Sequence, residues 1–138
     1  MRVLRLFSCA AVTGVALLAP VTTAAATPAP AELVAPSALT LTVTHDGITS
    51  EAPKVALLSC NPSGGTHPKA ADACREIQFA QGDFTKLGTG NRRVACTMEY
   101  DPFEVSATGL WRGKPVTYKA TYANPCVMAA STGTVYRF

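Results

Sequence analysis

Apolar and polar residues alternate in several stretches of this chain, which is the pattern of β-strands with one buried face. Leu39, Leu41 and Val43 alternate with threonines and predict the first strand, and the apolar run 55–60 predicts a second, largely buried one. Two more alternating stretches flank the turn at 112–114 and predict a hairpin. The residues that alternate with polar ones are Val105, Ala107, Val116, Tyr118, Ala120 and Tyr122.

Helical spacing replaces this alternation after the loop 61–65. Pro68 suits the first turn of a helix, where its missing N–H would have no partner in any case. Small and apolar residues then recur at helical spacing until Gly82. Residues 126–131 predict one or two further helical turns, and residues 135–138 predict a closing strand. Five strands with one or two helices predict an α+β domain built on an antiparallel sheet.

The first 26 residues have the composition of a secretory signal peptide. Two arginines precede an apolar run, and alanines 24–26 supply the small residues expected before a cleavage site after Ala26. The apolar run is too short to span a bilayer as a permanent helix, so we expect a secreted mature protein that is not held in a membrane. Residues 27–36 are rich in alanine and proline and predict a flexible N-terminal arm, which leaves 37–138 as a single domain.

The charge balance excludes one class of partner. Without Arg2 and Arg5 of the predicted signal peptide, ten basic residues face nine acidic ones, so the mature surface is nearly neutral. Nucleic-acid binding requires clustered lysines and arginines, and the only adjacent pair is Arg92-Arg93. We therefore expect no nucleic-acid partner.

Four cysteines remain in the predicted mature domain: Cys60, Cys74, Cys96 and Cys126. In an exported chain an even number indicates two disulfides, for which three connectivities are possible. Sequential pairing, Cys60 with Cys74 and Cys96 with Cys126, is the simplest of the three. Because no two cysteines form a short Cys-x-x-Cys pair, we predict no zinc site, and nothing in the sequence indicates another metal or a cofactor.

The candidate chemistry lies in the segment 94–102, Val-Ala-Cys-Thr-Met-Glu-Tyr-Asp-Pro. Met98 follows Cys96 by two residues and precedes Pro102 by four, with no glycine between them, so we predict an extended and restrained loop. A serine protease accepts its substrate in extended form, and methionine fills an apolar specificity pocket such as that of chymotrypsin. The hypothesis is that Met98 is bait for a subtilisin-like or chymotrypsin-like protease.

Two other classes of function compete with this hypothesis. An enzyme could use His45 beside Asp46, His67 and several serines, but the chain has neither a Gly-x-Ser-x-Gly elbow nor a His-Glu-x-x-His motif, so we predict that it is not an enzyme. The stronger alternative is a non-inhibitory secreted interaction domain. That alternative predicts an unremarkable loop after Cys96, whereas inhibition predicts an exposed, extended loop that is cleaved once.

Four motifs, in this order and together with the four cysteines, resemble the Streptomyces subtilisin inhibitor family. They are Ala-Pro-Ser-Ala-Leu at 35–39, Ser-Gly-Gly-Thr-His-Pro at 63–68, Cys-Thr-Met-Glu-Tyr-Asp-Pro at 96–102 and Gly-Leu-Trp-Arg-Gly-Lys at 109–114. The resemblance covers residues 35–138. It implies a five-stranded antiparallel sheet with two helices, two sequential disulfides and a homodimer formed through the sheet.

The resemblance also implies a function: secreted, substrate-like inhibition of serine proteases. It assigns the reactive bond to Met98 and Glu99. Cys96 would anchor the loop from upstream, and Thr97 and Tyr100 would contact the enzyme on either side of the bond.

Overall fold

The computed structural model describes residues 35–47, 51–88 and 94–138, so the predicted signal peptide and most of the predicted arm lie outside the described residues. The described residues contain one five-stranded antiparallel sheet, two α-helices and a short 3₁₀ helix, which confirms the α+β class. The strands are β1 (Ser37–His45), β2 (Lys54–Cys60), β3 (Gly64–Gly65), β4 (Phe103–Trp111) and β5 (Lys114–Tyr122). The helices are α1 (Ala70–Phe79) and α2 (Pro125–Thr132), and the order of strands in the sheet is β3-β2-β1-β4-β5.

The central strand β1 shows why the alternating pattern forms a sheet. Leu41 is fully buried and lies opposite Ala56 of β2 on one side and Ala107 of β4 on the other. The same buried cluster includes Ile77 of α1 and Val135 near the C-terminus, so the helix and the last residues cover this face of the sheet. Burying a side chain of this size stabilises the fold by about 1.5–3 kcal/mol.

The fifth strand is not where the sequence indicated. Residues 135–138 were predicted to close the sheet, but 135 and 136 lie in a turn, 137 and 138 have no regular structure, and none of them pairs with a strand. Val135 and Tyr136 are nevertheless buried, because they pack onto the sheet as part of the core, and burial raises the pKa of the Tyr136 hydroxyl above its usual range. The fifth strand is β3, two glycines whose partners are Ser59 and Leu58 of β2. A two-residue strand has no periodicity that a sequence pattern can reveal.

Helix α1 is shorter than predicted at both ends, because it starts after Pro68 and stops before Gly82. A buried histidine fixes its start: the N–H of Lys69 donates to Nδ1 of His67 (3.0 Å), and Nε2 of His67 donates to the carbonyl of Val135 (3.1 Å). Both ring nitrogens of His67 are thereby used in structure. Within the described residues, no helix has the length and apolar composition needed to cross a membrane.

The connection after α1 contains a 3₁₀ helix, Phe84–Lys86. Asp83 caps this helix by accepting hydrogen bonds from the hydroxyl and the backbone N–H of Thr85, and it pairs with Lys86. These contacts, the hydroxyl first, lower the pKa of Asp83 to about 2. Phe84 is buried, so the connection is fastened to the core.

The disulfide between Cys60 and Cys74 joins the end of β2 to α1 and has a Cα–Cα distance of 5.7 Å. Cys74 shares the buried face of α1 with Ile77. In the chain-entropy model, closing a loop of this length stabilises the fold by about 3 kcal/mol.

Candidate functional site

The loop that leads into β4, residues 94–102, forms neither helix nor strand and is exposed over most of its length. The Met98 side chain is 100% exposed, and Tyr100 is 78% exposed. Thr97 and Glu99 are exposed as well, and only Pro102 is buried. Met128 in α2, by contrast, is 8% exposed and belongs to the core. Met98 is therefore not a core residue, and a large apolar side chain is presented to solvent.

The side chain of Asn124 holds this loop through two hydrogen bonds. Its side-chain Nδ2 donates to the carbonyl oxygens of Thr97 (3.1 Å) and Glu99 (2.9 Å). Carbonyls two residues apart point the same way in an extended backbone, so the two bonds fit the predicted extended shape. The carbonyl of Met98 between them accepts no hydrogen bond from any residue that the structure describes. Asn124 thus holds the residues on both sides of Met98, while the Met98 carbonyl has no hydrogen-bond donor among the described residues.

Asn124 is itself fixed by the helix that follows it. Its side-chain oxygen accepts a hydrogen bond from the N–H of Val127 (2.9 Å), which caps the start of α2, and Pro125 occupies the first turn. The residue is 3% exposed, and its side-chain nitrogen and oxygen both have partners. Sequence analysis did not identify Asn124 as a residue of the site. Asparagine before proline at a helix start is a capping signal, and that signal could have identified it.

The second disulfide anchors the loop covalently on the side that precedes Met98. Cys96, two residues upstream, is bonded to Cys126 in the first turn of α2, with a Cα–Cα distance of 5.7 Å. The pairing in the structure is thus the sequential one. The bridge closes 30 residues of chain, which stabilises the fold by about 3–4 kcal/mol in the chain-entropy model.

The side of the loop that follows Glu99 is held by hydrogen bonds alone. The N–H of Asp101 donates to the carbonyl of Ala123 (2.8 Å), and the N–H of Asp46 donates to the carbonyl of Pro102 (2.9 Å). His45, at the end of β1, contacts the Asp101 carboxylate through Nε2. The sequence placed His45 among candidate catalytic residues because of its neighbour Asp46, but its side-chain partner is Asp101.

The arrangement presents a peptide bond rather than a catalytic group. Met98 and Glu99 are exposed in a loop that is tied at both ends, and Thr97 and Tyr100 are exposed on either side of them. Within the described part of the chain, no three histidines, cysteines or carboxylates are arranged to hold a metal ion. Sequence analysis selected the exposed residues and the cysteine anchor, but it missed the roles of Asn124 and His45.

Comparisons with known proteins found a matching family and several similar chains. The family described as subtilisin inhibitor-like matches residues 35–124. A subtilase-type protease inhibitor of Streptomyces coelicolor is 41% identical over 133 residues, which cover 94% of this chain and 88% of that protein. Plasminostreptin of Streptomyces antifibrinolyticus is 44% identical over 109 residues, covering 77% of this chain and 99% of the relative.

A solved structure is also similar to this chain. Sermetstatin of Streptomyces caespitosus, crystallised in complex with subtilisin of Bacillus licheniformis, superimposes with a TM-score of 0.62 at 33% identity and covers 75% of this chain and 99% of its own. The family and these relatives are named for inhibition or for a complex with a protease, and not for a reaction that they catalyse. This chain therefore belongs to the subtilisin inhibitor-like family, which is a family of inhibitors and not of enzymes.

Proposed function

We propose that this chain is a secreted, substrate-like inhibitor of subtilisin-like serine proteases, with Met98–Glu99 as its reactive bond. The proposal extends to chymotrypsin-like enzymes, because their specificity pocket is also apolar. Residues 1–26 are proposed to be removed on export, leaving the domain to act outside the cell. Similarity to sermetstatin, which was solved with subtilisin bound, supports the choice of target class.

One observation carries the proposal: the fully exposed Met98 side chain sits on a loop whose neighbouring carbonyls are held by a buried amide. Exposing methionine costs the stabilisation that its burial would give, about 1.5–3 kcal/mol. An apolar pocket in a protease would recover that free energy on binding. A loop already held in the bound shape also loses little conformational entropy, which strengthens association.

The proposed chemistry starts as in any substrate of a serine protease. The enzyme's serine attacks the carbonyl carbon of Met98, the tetrahedral intermediate collapses, and the bond to the Glu99 nitrogen breaks. The products are an ester between Met98 and the serine and a new amine on Glu99. In an ordinary substrate this amine leaves and water completes hydrolysis.

Here both new ends remain tied to the same domain. The Cys96–Cys126 bond holds the Met98 side, the continuous chain into β4 holds the Glu99 side, and Asn124 grips a carbonyl on each. The amine is thereby kept at a high effective concentration next to the ester. Its attack on the ester re-forms the peptide bond and releases the serine, so rejoining outruns hydrolysis and the enzyme stays occupied.

We also propose that two copies pair through the outer face of the sheet, as the family resemblance implies. Three large apolar side chains are exposed on this face, Val55 (55%), Leu57 (52%) and Leu110 (41%). The strand register joins them into one surface. Thr40 of β1 lies between Leu57 of β2 and Thr108 of β4, and Leu110 follows Thr108 by two residues on the same face. Burying this surface against a second copy would remove it from water.

If Met98 selects the enzyme, Met98→Lys should redirect inhibition from subtilisin to trypsin. An ammonium in an apolar pocket must be desolvated, which should weaken inhibition of subtilisin by roughly a hundredfold, while the aspartate in the trypsin pocket gains a partner. Inhibition constants for both enzymes measure the change. Tyr100→Lys is the matched control, since it adds the same charge two residues away and should leave selectivity unchanged. Redirection by Tyr100→Lys instead would move the reactive bond.

If the Cys96–Cys126 bond keeps the two ends together, the double variant Cys96→Ser/Cys126→Ser should be digested by subtilisin as an ordinary substrate. The control is Cys60→Ser/Cys74→Ser, which loses a similar stabilisation of about 3 kcal/mol at a site away from the loop. Both are incubated with subtilisin below their melting temperatures, and digestion is followed by mass spectrometry. Equal resistance of the two variants would contradict the tethering role. Digestion of the unmodified protein at ordinary speed would favour a non-inhibitory interaction domain.

If Asn124 maintains the loop, Asn124→Ser should be cleaved faster than the unmodified protein, by about tenfold to a hundredfold for two lost hydrogen bonds. Serine still caps α2 but is too short to reach the loop, so helix and fold are kept. Asn124→Asp keeps the size and the capping oxygen and should act in the same direction, because it loses the donor hydrogens. Cleavage rates by subtilisin and melting temperatures separate loop from fold. Unchanged rates in both variants would leave the loop held by the disulfide alone.

If the outer sheet face forms the dimer, Leu57→Lys should give a monomer by sedimentation equilibrium at a concentration where the unmodified protein is dimeric. A charge inserted into an apolar interface must be desolvated without a partner. Phe79→Lys is the control, because Phe79 is 82% exposed but lies on α1, away from this face. A dimer that survives Leu57→Lys and is lost with Phe79→Lys would place the interface on the helix.

A further inference from the structure

We infer that His45 is a positioning residue of the loop: its contact with Asp101 restrains the segment that carries the new amine, so the balance between intact and cleaved inhibitor depends on protonation of His45. The inference rests on the proposed function. It adds to the proposed mechanism a residue that lies outside the loop, and with this residue a dependence on pH.

The position of His45 is set by the sheet. His45 is the last residue of β1 and is paired in register with Phe103, the first residue of β4. Its ring stacks on Phe103 at a centroid distance of 4.5 Å and an interplanar angle of 17°. This stacking directs Nε2 to the Asp101 carboxylate, with 15% of the His45 side chain and 40% of the Asp101 side chain exposed. The imidazole is thus held by the rigid end of the sheet, and Asp101 is held by the imidazole.

The two sides of the reactive bond differ in how they are tied. The Met98 side has a covalent anchor, the Cys96–Cys126 bond, two residues from the reactive bond. On the other side, Asp101 lies two residues beyond Glu99, and its ties are the N–H bond to Ala123 and the side-chain contact with His45. After cleavage, the freedom of Glu99 and Tyr100 is therefore limited by non-covalent contacts at Asp101. Weakening those contacts adds conformational entropy to the cleaved form and favours it.

The surroundings of His45 make its charge matter. It lies in a cleft whose other titratable lining residues are Asp46, Glu99, Tyr100 and Asp101, and within the described residues no lysine or arginine lines it. A proton on the imidazole therefore faces carboxylates from its own turn and from the loop.

Two neighbouring features leave the pair undisturbed. On the adjoining strands, Glu104 is paired with Lys119 (2.8 Å) and does not compete for His45. Gly47 leaves room for the pair, since a Cβ there would lie 2.6 Å from Nε2 of His45 and 2.9 Å from Oδ1 of Asp101. The contact between His45 and Asp101 is thus free of both a rival charge and a steric obstacle among the described residues.

Histidine is the side chain type that changes charge between about pH 5 and 8. A neutral imidazole with its proton on Nε2 donates a hydrogen bond to Asp101, and the protonated ring adds an ionic attraction to the same bond. For a partly exposed pair, the added attraction changes an equilibrium by about two- to fivefold. The loop is therefore held more tightly at acidic pH.

The test compares the mature protein with His45→Gln, which keeps a hydrogen-bond donor and cannot be charged. Each is incubated with a catalytic amount of subtilisin until the ratio of cleaved to intact inhibitor is constant, at about pH 6 and about pH 9. Mass spectrometry gives the ratio. Because the ratio is measured at equilibrium, it does not depend on how the rate of the enzyme changes with pH. The ratio for His45→Gln relative to the unmodified protein should be about two- to fivefold higher at the lower pH and close to one at the higher.

Two further variants make the outcome specific. Asp101→Asn should behave as His45→Gln does, and the double variant should add nothing to either. Asp46→Asn removes a carboxylate that lines the same cleft, but the side-chain partner of His45 is Asp101, so this variant should keep the larger part of the pH response. Melting temperatures of all variants confirm folding.

Two results would overturn the inference: a relative ratio for His45→Gln that is the same at both pH values, or a response lost equally with Asp46→Asn. If the unmodified protein shows no cut between Met98 and Glu99, the proposed function itself fails, which is a different result from an unchanged ratio.

Discussion

The shape of the loop depends on one buried amide. Asn124 is almost fully enclosed, its nitrogen donates to two carbonyls of the loop, and its oxygen accepts from the first turn of α2. The loop has no strand partner, so it lacks the ladder of hydrogen bonds that fixes the backbone elsewhere in the sheet. A buried amide that lost these partners would carry the full cost of desolvation, about 1–3 kcal/mol. The same requirement that keeps Asn124 satisfied therefore keeps Thr97 and Glu99 in place.

The rigidity behind this amide comes from the start of α2. Asn124, Pro125 and Cys126 are consecutive, and they supply the cap, the first helical turn and the covalent anchor of the loop. The helix is packed into the domain by Met128, which belongs to the buried core, and by Thr132, which is fully buried. Displacing the loop would thus require movement of a helix that is packed into the domain. The loop that carries the exposed Met98 is therefore restrained by a helix that is packed into the domain.

Sequence patterns predicted the parts of the structure in which side chains are buried at a regular spacing. Strands β1, β2, β4 and β5 each bury alternate residues, so their period of two is visible in the sequence. That period misled at residues 135–138, where apolar side chains pack on the sheet without pairing, and it gave no signal for the two glycines of β3. In the loop, exposure of Met98 and anchoring at Cys96 followed from residue types. The hydrogen bonds of Asn124 to the loop could not be predicted from the sequence. Their acceptors lie 25 and 27 residues away and come close to Asn124 only through the topology of the sheet.

The same topology explains why the two ends of the loop are tied in different ways. On the upstream side, residues 94–97 pair with no strand, so the covalent bond from Cys96 to α2 supplies the restraint that no ladder provides. The downstream end runs directly into β4, where pairing with β1 and β5 begins at Phe103, and short polar contacts are enough to continue that order back to Asp101. A disulfide keeps its strength across the range in which histidine titrates, whereas a contact between imidazole and carboxylate does not. Under the proposed mechanism, the response to pH would therefore be confined to the side that carries the new amine.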